Sequence, residues 1–110
     1  MTVHAWVEFD EKKINFPNIC GSFICWPVEV EEWCRAREIS VHHKDWLWAF
    51  AFLSKGQILT FIDDAYAPIF ARAKERGLKS KDEPVIAQFR SEIEHALQDD
   101  RLYKLSGLDY

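Results

Sequence analysis

Trp46-Leu47-Trp48-Ala49-Phe50-Ala51-Phe52-Leu53 is an unbroken apolar run, and its reading decides the fold. Trp46, Trp48, Phe50 and Phe52 alternate with Leu47, Ala49, Ala51 and Leu53, so an extended chain has one aromatic face and one small or aliphatic face. That pattern predicts a central strand covered on both faces. Ser54-Lys55-Gly56-Gln57 supplies a Gly-containing connection, and residues 58–62 resume β-branched and aromatic character, so the two runs read as a hairpin. The same residues carry a competing signal. Ser54 and Gln57 are spaced as a capping box, and Ile58, Phe61, Ile62, Ala65, Ile69 and Ala73 fall at helical spacing. One long helix kinked at Pro68 is therefore the alternative.

Working outward, Val3, Ala5, Val7 and Phe9 alternate with His4, Trp6 and Glu8, the period of a half-buried strand. Asp10-Glu11-Lys12-Lys13 is a polar turn, Ile14-Asn15-Phe16 is stopped by Pro17, and residues 19–26 offer a second strand with Gly21 as a bulge. Residues 28–38 fit both a short edge strand and a helix. The helix is favoured because Pro27 opens it and Glu29, Glu31 and Glu32 fall in its first turns, where carboxylates complement the dipole. Residues 39–42 read as a short strand. Beyond the hairpin, a helix over residues 65–76 is stopped by Gly77, and a second follows Ser80-Lys81-Asp82-Glu83-Pro84. The apolar stripe of that second helix is Val85, Ile86, Phe89, Ile93, Ala96 and Leu97; Leu102, Tyr103 and Leu105 read as one further turn. The expected fold is α+β: an antiparallel sheet in the N-terminal half with two C-terminal helices on one face.

A chain of 110 residues is one domain, residues 1–110, and buries roughly two-thirds of its unfolded surface. Aromatic residues make up 15%, including five Trp, which is enough for a core and leaves some for a surface. A net charge of −4 gives no general attraction to nucleic acid or anionic membranes, and points to a basic partner instead. The start of the chain lacks the architecture of a signal peptide, and residues 46–53 fall short of the ~20 residues a membrane helix needs, so a soluble cytoplasmic protein is expected. Cys20, Cys25 and Cys34 read as reduced thiols.

His4-Ala5-Trp6-Val7-Glu8 resembles the histidine strand of transglutaminase-like and papain-like cysteine enzymes. The resemblance covers these residues alone and implies a cysteine-dependent hydrolase or transferase, with Asn15 orienting His4 and Cys20 or Cys25 as nucleophile. The family places its cysteine upstream, whereas here both cysteines follow the histidine. Cys20, Cys25 and Cys34 with His42 or His43 contain zinc-binding groups, but the spacing is not that of a zinc site, and neither metal nor cofactor is expected. Adjacent His42 and His43 point to opposite faces of an extended chain. Arg72, Lys74, Arg76, Lys79 and Lys81 form a basic cluster without interleaved aromatics, so nucleic-acid binding is not expected. Phosphate-loop, dinucleotide and Gly-x-Ser-x-Gly patterns are absent.

Carboxylates do cluster beside aromatics: Glu29, Glu31 and Glu32 by Trp33; Asp63 and Asp64 by Tyr66; Asp99 and Asp100 by Tyr103. Rim carboxylates steer a basic protein and aromatics anchor it. The expected function is therefore a non-enzymatic protein-binding module of the inhibitor or immunity type. It would neutralise a basic partner such as a nuclease toxin through Glu29, Glu31, Glu32, Trp33, Asp63, Asp64 and Tyr66.

Overall fold

The structure, a computed structural model, describes residues 3–16, 26–66, 68, 71, 75 and 83–109. It is α+β. In chain order the elements are β1 (Val3–Phe9), β2 (Lys12–Asn15), α1 (Trp26–Arg35), β3 (His42–Asp45), β4 (Trp48–Ser54), α2 (Lys55–Phe61), a π-helical turn (Ile62–Tyr66), α3 (Glu83–Ala96) and β5 (Leu102–Asp109). The strands form one antiparallel sheet in the order β2-β1-β5-β4-β3.

The alternation of β1 produces the expected strand, and Asp10 and Glu11 turn it into β2 with φ values of 46° and 64°. Positive φ at both central residues matches the twist of a two-residue hairpin, a geometry usually left to Asn or Gly. Helix α1 carries Glu29 in its first turn and Arg35 in its last, in keeping with its dipole. It ends on a Schellman motif: the Ile39 N–H donates to the Cys34 carbonyl at 2.9 Å, while Glu38 takes the left-handed position at φ 59°.

The expected hairpin over residues 58–62 is replaced by helix. Ser54 accepts from the Gln57 N–H at 3.2 Å, and the Gln57 side chain accepts from the Ser54 N–H at 2.9 Å. This closed capping box satisfies the orphan donors of the first turn and stops β4 at Ser54. Ile58, Phe61 and Ile62 then share one buried side, so the helical spacing prevails over β-branched propensity. Of the helix expected over residues 65–76, Ala65 and Tyr66 end the π-helical turn and Pro68, Ala71 and Glu75 are helical and exposed; the rest of it, and most of the strand expected over 19–26, lie outside the described residues. Trp26 itself opens α1.

Two further corrections concern the sheet. Residues 102–105 are not a helical turn but the start of β5, the central strand, so the sheet is not confined to the N-terminal half. Helix α1 also lies between strands rather than after them. Gly107 lets the start of α1 pack closely on the sheet: a Cβ at this position would meet the Trp26 carbonyl oxygen at 2.6 Å. The start of α1 therefore lies directly on the middle of β5.

One face of the sheet, called inner here, supplies Ala5, Val7, Ala51, Leu53, Tyr103 and Leu105 to the core. Opposite them the helices contribute Val30, Trp33, Cys34, Ile58, Phe61, Phe89 and Ile93. Phe61 sits at the centre, with ring contacts to Phe16, Trp26 and Trp33 at centroid distances of 6.0, 6.3 and 5.4 Å.

Candidate functional site

Strand alternation places a second aromatic layer on the outer face. Register sets Trp6 and Phe50 opposite Ser106, Trp48 opposite Leu108, Phe52 opposite Lys104, and Lys13 opposite Glu8. Trp6 meets Trp48 edge-on at 5.6 Å; His42 of β3 stacks on Phe50 at 5.3 Å and 23°; Phe52 stands edge-on to both Phe50 and His42. The expected aromatic face is found for Trp48, Phe50 and Phe52, but Trp46 falls in the turn before β4, and burial on both sides is incomplete. Phe52 is 46% exposed, and Leu102, across from Ser54, is 62% exposed.

Lysines interleave with these rings. Lys13 lies 5.2 Å from the Trp6 centroid, Lys44 4.6 Å from Trp48, and Lys104 4.4 Å from Phe50. Such contacts set each ammonium against the electron-rich face of its ring. Lys104 also reaches Glu8 at 3.7 Å. Within the layer, Trp48 Nε1 and Ser106 Oγ are buried with no hydrogen-bond partner among the described residues, and Glu8 Oε2 has the Lys104 ion pair alone there.

Trp46 stands apart, at the tip of the β3–β4 hairpin. The Leu47 N–H donates to Asp45 Oδ1 at 2.8 Å, fixing the turn, and Trp46 projects with 84% of its surface exposed. No polar signal in the sequence marks this residue; its position at a turn between strands does.

Of the seven residues expected to bind a basic partner, most are engaged within the chain. Glu31 pairs with Arg35 one turn on and faces His43 Nε2 at 3.6 Å. Asp63 receives a bidentate pair from Arg90, at 2.9 and 3.0 Å, which raises the Arg90 pKa through that hydrogen bond. Asp64 is held by Arg37 at 2.8 Å. Trp33 is 7% exposed, lies against Phe61, and carries Arg37 over its ring at 4.0 Å, so it is a core residue with no open ring for a partner. Glu29 is half-buried with an interaction of its own, and Glu32 is exposed. Tyr66 closes the π-helical turn, its side chain outside the described residues.

Of the alternative constellations, His4 lies on β1 opposite Leu108 and Asn15 is exposed at the end of β2; Cys20 and Cys25 lie outside the described residues. Cys34 is fully buried, and burial pushes its thiol up to about 11, against a smaller opposing effect of Arg37. A thiol in that state is a poor nucleophile. Among the described residues no group of His, Cys, Asp and Glu could hold a metal ion. The basic residues Arg72, Lys74, Arg76, Lys79 and Lys81 lie outside them. No described helix is long and apolar enough to cross a membrane. No family model, curated protein or solved structure matches this chain.

Proposed function

We propose that the protein is a non-enzymatic binding module of the inhibitor or immunity type, and that it docks a protein partner through the outer face of its sheet. In this reading the described helices pack on the inner face, and on the outer one Phe52 and Leu102 are left exposed. The carrying observation is exposed apolar surface at both ends of a layer of packed aromatics: Phe52 and Leu102 at one end of β4, and Trp46 beyond Trp48 at the other. Large aromatics left exposed on a folded domain mark interaction surfaces, and Trp is among the residues most enriched at interface hot spots. The neighbouring rings are already fixed by one another, so less conformational entropy is lost when a partner settles on them.

The edges of the sheet fit this use. Both edge strands are short and carry lysines, Lys12 and Lys13 on β2 and Lys44 on β3, which discourages strand addition and leaves the broad face as the contact. The acidic flank is the rival surface, and a basic partner belongs to that rival.

The test is comparative capture from the native host, using wild-type protein, a Trp46→Ala/Phe52→Ala variant and a Glu32→Lys/Asp64→Lys variant, each checked for folding by circular dichroism. A partner retained by wild type and by the charge variant but lost with the aromatic variant supports the outer face. Retention by the aromatic variant together with loss in the charge variant moves the surface to the acidic flank.

A further inference from the structure

We infer that the partner segment seated on the outer face is acidic, an apolar or aromatic side chain flanked by carboxylates. This rests on the outer face being the docking surface. The face is cationic at its rim although the chain as a whole carries −4. Lys13 lies toward one edge of the sheet, Lys44 at the other, and Lys104 at the middle, each held over a ring. Glu8 engages Lys104, but among the described residues neither Lys13 nor Lys44 has a carboxylate partner. The helical side is different: there Asp63 is matched by Arg90 and Asp64 by Arg37. On the outer face the charge left without a carboxylate among the described residues, Lys13 and Lys44, is positive.

Single-stranded nucleic acid is also anionic and also seeks aromatic sheet surfaces, but base stacking needs bare ring faces. Within the layer those faces are taken, since Lys13 covers Trp6, Lys44 covers Trp48, and Phe50 carries both His42 and Lys104; the bare Trp46 indole at the hairpin tip is a single ring and makes no run of stacking platforms. What remains open is ring edges, the side of Phe52, the Trp46 indole and Leu102, together with ammonium groups. This suits apolar side chains with carboxylates beside them. The chain's overall negative charge further opposes a long polyanion, while a short acidic segment needs only the local field.

Selection of a random displayed peptide library on the wild-type protein tests the inference, followed by anisotropy titrations of the most enriched peptide and of a labelled oligothymidylate. The expected result is enrichment of Asp and Glu next to Trp, Phe or Leu. The best peptide should then weaken about tenfold against Lys13→Glu/Lys44→Glu and at least as much against Trp46→Ala/Phe52→Ala, with both variants folded. Basic peptides that still require Trp46 and Phe52 would overturn the acidic partner and leave the docking face standing. Peptides indifferent to both pairs, or no enrichment, would overturn both. Tighter binding of the oligothymidylate than of any peptide would assign the face to nucleic acid. Sedimentation showing self-association that Trp46→Ala abolishes would assign it to a second copy; either result overturns the inference.

Discussion

Phe61 and Phe52 are the same side chain on opposite sides of one sheet. Phe61 is fully buried among Phe16, Trp26 and Trp33, where aromatic bulk fills the space between strands and helices. Phe52 touches Phe50 and His42 and remains 46% exposed. The inner cluster has neighbours from three helices and so contributes to stability. In the outer layer Trp6 is buried and Trp48 and Phe50 are half-buried, while Phe52 and the neighbouring Leu102 keep apolar surface for something else to bury. Aromatic content alone does not distinguish the two roles; the number of sides from which a ring is covered does.

Chemical denaturation breaks or sharpens that contrast. Phe61→Ala should cost about 3–5 kcal/mol, while Phe52→Ala should cost less than ~1 kcal/mol. Equal losses would mean that the outer layer is as structural as the inner.

Next in size is the effect of alkali. The unfolded Cys34 thiol ionises near 9.0, whereas the folded thiol keeps its proton until about 11. Over that interval the native state binds the extra proton, so the contribution of Cys34 is fully present below pH 9 and declines as pH rises through the folded value. The expected loss is on the order of 2 kcal/mol, and Cys34→Ala should remove this part of the slope.

Ser54→Ala should cost ~1 kcal/mol by opening the capping box that directs Phe61 inward, and hydrogen exchange should show faster opening of the first turn of α2. Smallest is Trp46→Ala, expected to shift stability by no more than ~0.5 kcal/mol while abolishing capture of the partner.

What the sequence showed depended on the range of the interactions that decide each feature. The β1 alternation and the α3 stripe are written in neighbouring residues and were legible. The capping box at Ser54 was legible too, yet the β-branched composition of residues 58–62 favoured a strand; a side-chain hydrogen bond at the helix start outweighed weak residue preferences. β5 was missed because a central strand is usually apolar on both faces, whereas this one has Ser106 on the outer side and Gly107 on the inner. Gly107 is suited to its site by Trp26, far away in the chain. The carboxylates of the expected binding surface were visible, but the arginines that occupy Asp63 and Asp64 lie 27 positions away in sequence. The outer layer is assembled from β1, β3, β4 and β5, so no local window contains it.

The place of β5 also governs the order in which the molecule can be assembled. The β1–β2 and β3–β4 hairpins form from local chain, but they are not neighbours; each meets the other's half of the sheet only through Leu102–Asp109. Synthesis delivers both hairpins before the strand that joins them, and until it arrives β1 and β4 each have an unpaired edge. Such non-local closure makes for slow folding, because the entropy of a long loop is lost before its contacts form. The half-built sheet offers open backbone to any passing strand during that interval, so the nascent chain is most prone to aggregate just before β5 inserts.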